Sequence, residues 1–240
     1  MRRCSVCERS FPNFMPIPAP YVSHQHELGV PYSLEDFETL NVGQYICPHC
    51  EALDRDRLSA LFVRDHLPPR RGGLLRVLDI APGKALSRFL RALPDVDYRS
   101  GDLDPALADE QVDITDMRQF EDVSFDLIVC SHVLEHVPDD ARAMRELHRV
   151  LAPGGRAILM VPILTTATRT DEDPGVTDAD QRWRRFGQDD HVRMYCKRDF
   201  TERLAASGWN VAELGVETFG AETFRRHGIT QRSVLYVGSK

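Results

Sequence analysis

Glycine is scarce where a nucleotide-binding turn would use it. Residues 77–85 read VLDIAPGKA, an apolar run ending in an acid and then a turn that keeps a single glycine, Gly83. Neither G-x-G-x-x-G nor G-x-x-x-x-G-K-[ST] occurs, so an NAD- or ATP-binding fold lacks support. Long apolar runs are missing too. The longest are strand-sized, which excludes a membrane-spanning helix on sequence grounds. The basic start MRRCSVCERS has no apolar stretch behind it and does not read as a secretory signal, so the expectation is a cytoplasmic protein with no membrane partner. Positive charge is not in excess either: 30 Lys/Arg stand against 37 Asp/Glu, a net charge of −7. Residues 1–73 hold 8 basic and 9 acidic residues, so no basic patch offsets the total there. That balance counts against nucleic acid as the main partner. No internal repeat or low-complexity tract is present.

What is there fits one α/β domain with a small appendage: 240 residues, 42% hydrophobic and 28% charged. The six cysteines are unevenly placed. Cys4 and Cys7 form one C-x-x-C, Cys47 and Cys50 a second, while Cys130 and Cys196 stand alone. Two such pairs without a secretion signal read as a metal site rather than a disulfide framework. Four thiolates from two tight knuckles close a tetrahedral zinc sphere, so the zinc expected here is structural. The 39 intervening residues are long for a zinc ribbon and contain His24 and His26 as rival ligands. Cys130 reads as a core strand residue; Cys196 is left unassigned.

The chain divides at PPRRGG, residues 68–73, into a zinc-binding module with a connecting helix (1–67) and a larger domain (74–240). In the connecting segment 53–67, Leu58, Leu61 and Phe62 fall on one side of an amphipathic helix. The larger domain alternates strands at 74–80, 96–102, 111–114, 125–131 and 154–163 with helices near 84–93 and 139–151. Asp199 and Glu202 look like a capping box for a helix at 200–207. Two last strands, WNVAELGVE and RSVLYVG, follow each other with no clear helix between them and could pair antiparallel at one edge. Continuous apolar strands alternating with helices predict a doubly wound, mostly parallel sheet covered on both faces.

In such a sheet a ligand lies beyond the carboxyl ends of the strands, where strand order reverses. The segment Asp79–Ala81–Gly83–Ala85 resembles the first motif of class I S-adenosylmethionine (SAM)-dependent methyltransferases, an acid followed by glycines at alternate positions, with only the middle glycine kept. YRSGDLDP, VDIT, SFDLIVCSHVLEHVPDD and LHRVLAPGGRAILMVP resemble the following motifs in the same order, over residues 74–163. The resemblance implies a seven-stranded Rossmann-like sheet and SAM as cofactor. It implies SAM contacts from Asp79, Ala81, Pro82 and Gly83; from Asp102 and Leu103 at the ribose; from Asp113 and Ile114 at the adenine edge; and from Ser131 and His132 at the methionine end.

The acceptor is harder to read. SHVLEH places His132, Glu135 and His136 at the mouth of that site, and His132, His136 and His191 are the candidate catalytic bases. Residues 164–198 carry 7 acidic and 7 basic residues without periodicity, and they leave the fifth strand where a lid would. His191, Arg193 and Tyr195 alternate, so an extended stretch would aim a base, an anion clamp and an aromatic wall at a substrate. The first expectation is a methyltransferase acting on oxygen or nitrogen of a small molecule or peptide, with a carboxylate among the candidate acceptors. An RNA methyltransferase that uses the zinc module for recognition is the second. A non-catalytic SAM- or zinc-dependent interaction protein is the third.

Overall fold

A computed structural model describes residues 1–68 and 72–240; half of the PPRRGG linker, residues 69–71, lies outside the described residues. The main sheet is built from β1 (Leu75–Ile80), β2 (Val96–Asp102), β3 (Glu110–Gln111), β4 (Phe125–Ser131), β5 (Leu151–Met160), β6 (Asn210–Leu214) and β7 (Leu235–Ser239). Their spatial order is β6-β7-β5-β4-β1-β2-β3. Strands β1, β2, β3, β4 and β5 run parallel to one another. β7 pairs antiparallel with both β5 and β6, as expected for a modified edge.

The central strands are apolar on both faces because helices cover both faces. Val77, Leu78, Leu127, Ile128, Ile158 and Leu159 are each completely buried. The covering helices include α2 (Asp54–Asp65), α3 (Lys84–Arg91), α4 (Asp140–Val150) and α6 (Lys197–Ala206), preceded in the chain by α1 (Ala19–Glu27). Helix α3 turns Leu86, Phe89 and Leu90 inward, and α4 starts where the Asp139 carboxylate accepts the Arg142 N–H.

Several expectations need correction. The strand at 111–114 shrinks to Glu110–Gln111, because only those residues pair with β2. Two short helices, Val216–Phe219 and Ala221–His227, separate β6 from β7. Asp199 does not cap α6: the helix starts earlier, at Lys197, and the Asp199 carboxylate accepts the Thr170 N–H instead. α2 is not amphipathic, since Arg57, Leu58, Ser59, Ala60, Leu61, Phe62 and Val63 are all buried.

Arg57 explains how α2 tolerates burial of most of its residues. Its guanidinium donates to the carbonyls of His227, Tyr45, Ala52, Gln44 and Gly228 and lies 3.8 Å over the Phe14 ring. The N-terminal segment therefore shares the main core, with Cys4, Val6, Phe11 and Phe14 in one cluster with the sheet. A second cluster joins Ile17, Leu34 and Phe37 to Leu164, Phe186 and Met194. Residues 164–198 are not structureless. They hold a two-stranded ladder, Asp171–Glu172 with Arg193–Met194, and α5 (Ala179–Phe186). Among the described residues no helix is long and apolar enough to cross a membrane.

Candidate active site and cysteine cluster

The two C-x-x-C segments fold as copies of one knuckle. In the first, Glu8 N–H donates to Cys4 O and Cys4 N–H to Arg9 O; in the second, Glu51 N–H donates to Cys47 O and Cys47 N–H to Ala52 O. The residue after each second cysteine takes a left-handed turn, Glu8 with φ 60° and Glu51 with φ 65°. The knuckles bring Cys4 Sγ to 3.7 Å from Cys50 Sγ and Cys7 Sγ to 3.8 Å from Cys47 Sγ. All four sulfurs lie within 4.8 Å of one another. These gaps are far too long for disulfides, and they match the roughly 3.8 Å expected of sulfurs about 2.3 Å from a common tetrahedral ion. His24 and His26 are not in the group; His24 packs edge-on against Trp183.

Sheet order reverses between β1 and β4, so the turns after β1, β2 and β4 border one crevice. Asp79 is 2% exposed and accepts a hydrogen bond from Tyr98 Oη at 2.7 Å. Burial pushes its carboxyl up to about 7, against the pull of that hydrogen bond. The turn's conformational demand falls on Ala81, whose φ is +50°, and not on Gly83. Gly83 has an ordinary φ of −72° at the start of α3, and a Cβ added there would meet nothing within 4 Å. The backbone is thus open toward the crevice, as close approach of a ligand requires.

Across the crevice, Asp102 ends β2 with one oxygen accepting the Asp104 N–H, and Leu103 is 67% exposed. Asp113 is exposed and accepts from the Thr115 N–H and hydroxyl, beside buried Ile114. Ser131 Oγ and His132 Nε2 are buried with no hydrogen-bond partner, and His132 has φ +59°. Open backbone, an exposed leucine and orphaned polar atoms together fit a polar ligand with an apolar ring system.

Next to this crevice is a cavity of about 400 Å³. Its apolar wall comes from the N-terminal segment (Ile17, Leu34, Phe37) and from the 164–198 segment (Phe186, Met194). Its polar wall is Arg55, His132, Glu135, His136, Gln188 and His191. Arg55 Nη1 donates to Tyr45 Oη at 3.1 Å. Glu135 is fully buried, and burial pushes its carboxyl up to about 8. Burial likewise drives His191 down to about 4 and His132 well below the usual histidine range.

Two predicted substrate contacts are displaced. Arg193 is 2% exposed; it donates to the carbonyls of Leu134, Val137 and Pro138 and pairs with Glu172. It clamps the turn that carries Glu135 and His136 and does not face the cavity. Tyr195 is completely buried with its hydroxyl on Asp140 at 2.6 Å. Of the alternating trio only His191 lines the cavity. Sequence reasoning missed Arg55 and the apolar residues at 17–40, because nothing local marks a connecting segment as a cavity wall. Cys130 is a buried β4 residue as expected, and Cys196 is buried just before α6.

Comparison with known proteins fits this architecture. A family profile described as "Methyltransferase domain" matches residues 51–214. A ubiquinone biosynthesis O-methyltransferase of Paracidovorax citrulli is 33% identical over 90 residues, covering 36% of this chain and 33% of that protein. The chloroplastic tocopherol O-methyltransferase of Arabidopsis thaliana is 51% identical over 41 residues, 17% of this chain and 12% of that protein. The chain thus spans about a third of the first relative's length and less of the second's. Among solved structures, the CurJ carbon methyltransferase superposes with a TM-score of 0.52 at 15% identity, covering 77% of this chain and 53% of that one.

Proposed function

The chain belongs to the methyltransferase-domain family, and from that premise we propose that it is a SAM-dependent enzyme methylating an oxygen of a small hydroxyl-bearing molecule. One observation carries the acceptor class: the cavity of about 400 Å³, sized for a small ligand, that opens beside the crevice after β4. Oxygen as the acceptor atom is supported by the O-methyltransferase names of the relatives.

Asp79, Ala81, Pro82 and Gly83 would hold the cofactor at the β1 turn, with Asp102 and Leu103 at its ribose, Asp113 and Ile114 at its adenine edge, and Ser131 and His132 at its methionine end. An acid at the end of β2 suits a ribose because one carboxylate can accept hydrogen bonds from both hydroxyls. When bound, SAM supplies a methyl group already activated on a sulfonium sulfur. The chain then has to align the acceptor oxygen, exclude water and receive one proton. Residues 164–198 act as the cover, since Phe186, Gln188, His191 and Met194 close the cavity from that side. His132 Nε2, in the cavity wall and unpartnered, takes the hydroxyl proton as the oxygen attacks. Arg55 receives an anionic group on the acceptor. The four thiolates of Cys4, Cys7, Cys47 and Cys50 would hold a structural zinc ion, which with four protein ligands would supply stability and not chemistry.

The test is label transfer from methyl-labelled SAM into a fractionated extract. Label is expected among small molecules, and Arg55→Met should cut that transfer while leaving SAM affinity unchanged by calorimetry. Label that disappears on nuclease treatment would overturn the acceptor class. Unchanged SAM affinity in Asp102→Ala would overturn the ribose assignment.

A further inference from the structure

Glu135 has an environment that methyl transfer alone does not explain. Both its carboxylate oxygens are buried without a hydrogen-bond partner. Three imidazoles surround Oε1: His132 Nδ1 at 3.5 Å, His136 Nε2 at 4.0 Å and His191 Nε2 at 4.0 Å. These separations are too long for hydrogen bonds. A buried carboxylate with no hydrogen-bond donor is costly, and the charges of Arg55 and Arg193 do not offset its burial, so a proton or another cation should occupy the space between these groups.

The outer contacts of the rings say what it is. His191 Nδ1 lies 2.8 Å from the Phe186 carbonyl, an acceptor only, so Nδ1 carries the proton and Nε2 presents a lone pair. His136 Nδ1 lies 3.3 Å from Asp190 Oδ2, which assigns the same tautomer. Two nitrogen lone pairs and a carboxyl oxygen thus converge on one point, where a cation can take the place of the carboxyl proton. Imidazoles whose far N–H is held by a carbonyl or carboxylate are arranged as metal ligands are. The ligand atoms of Glu135, His136 and His191 lie within 4.8 Å of one another. Two ligands about 2.1 Å from one ion are roughly 3.0–4.2 Å apart, so the cluster needs to close by only a few tenths of an ångström.

We propose that Glu135, His136 and His191 bind a divalent first-row transition-metal ion in the wall of the acceptor cavity. Two imidazoles and one carboxylate favour zinc, manganese or iron over calcium and magnesium, which prefer all-oxygen sites. Three protein ligands leave positions open toward the cavity, where an oxygen of the acceptor completes the sphere. This last point rests on the methyltransferase reading; the ion itself does not. The site is separate from the four-thiolate cluster, and its softer-donor neighbour would not compete for manganese.

The experiment uses the 240-residue chain with zinc retained at the cysteines, briefly cleared of weakly held ions with dilute EDTA. MnCl₂ is titrated in while the magnetic-resonance signal of free Mn²⁺ is followed, and Zn²⁺ uptake is measured in parallel by metal analysis. One further equivalent of Mn²⁺ or Zn²⁺ should bind wild type, and Glu135→Gln and His191→Ala should each weaken it at least about tenfold while the cysteine zinc stays. His136→Ala, at a half-exposed position, repeats the test should either buried variant misfold. No saturable uptake in wild type would overturn the proposal and leave a proton to fill the gap. Uptake that is equal in wild type and every folded variant would overturn it as well. SAM calorimetry on the same samples separates the readings: SAM binding without the extra ion removes the ion alone, and the ion without SAM binding removes the methyltransferase reading alone.

Discussion

Replacing Arg193 by alanine distinguishes a buried clamp from a substrate contact. In the folded protein its guanidinium serves the carbonyls of Leu134, Val137 and Pro138, and its Nε lies 3.1 Å from Glu172. Arg203 also pairs with Glu172 and with Asp140, at 2.6 and 2.8 Å, so the variant strands no carboxylate. The loss is concentrated on the three carbonyls and the space left behind. Hydrogen bonds to a charged donor contribute about 1.5–3 kcal/mol each, and they are not additive at one side chain. Removing one partner of a buried ionic network costs about 3–5 kcal/mol. With Arg203 still in place, Arg193→Ala should lose about 3–4 kcal/mol, equivalent to a few hundredfold in the folding equilibrium. The assay is urea unfolding of the reduced, zinc-loaded protein, with KM measured on an identified acceptor under conditions where the variant is folded. A loss below about 1 kcal/mol together with a raised KM would refute the clamp and restore Arg193 to the substrate.

Four other outcomes follow from the geometry. Asp79 has an ordinary carboxyl value of 3.8 when unfolded and about 7 when folded. As pH rises between these values the unfolded chain releases a proton that the folded chain keeps, so stability falls through that window and levels off above 7. The change is at most about 4 kcal/mol. Asp79→Asn should therefore gain on wild type between pH 4 and 7, and a pH-independent difference in unfolding midpoints would defeat the assignment. Ala81→Gly should stabilise by about 0.5 kcal/mol, since relief of the left-handed conformation exceeds the entropy cost of glycine. Gly83→Ala should leave unfolding unchanged and weaken SAM about tenfold in calorimetry. Cys50→Ser should release zinc in metal analysis and lower stability by on the order of 4 kcal/mol; zinc retention at wild-type stability would remove the ion from the structure's account.

The sheet was readable because its central strands carry continuous apolar stretches, LIVC and AILMV, that a two-sided core accommodates. FDLIVCS and GGRAILMV hold these stretches, and each sits in the middle of the sheet. The knuckles were readable because two cysteines three apart carry their geometry locally. The segment 164–198 was misjudged although its signals were present. Asp178 accepts the Gln181 N–H at the start of α5, and Gly187 ends that helix in a left-handed turn at φ 88°. Those punctuation marks outrank the missing periodicity of an eight-residue helix. The helices between β6 and β7 are shorter still. The functional wall was illegible for another reason: Ile17, Leu34, Arg55 and Met194 meet only in three dimensions, and alternation at 191–195 says nothing about which face the fold buries.

The cavity and the crevice draw on different stretches of chain. Residues 17–55 and 161–194, with the turn 132–136, shape the one, while 79–114 border the other. Under the proposed function, substitutions that resize the cavity can therefore accumulate without disturbing the β1 and β2 turns. Lineages sharing this architecture are free to exchange one acceptor for another while the donor chemistry stays fixed, and divergence among them should concentrate in the N-terminal segment and the cover, with the turn at Ser131–His136 as the hinge between the two histories.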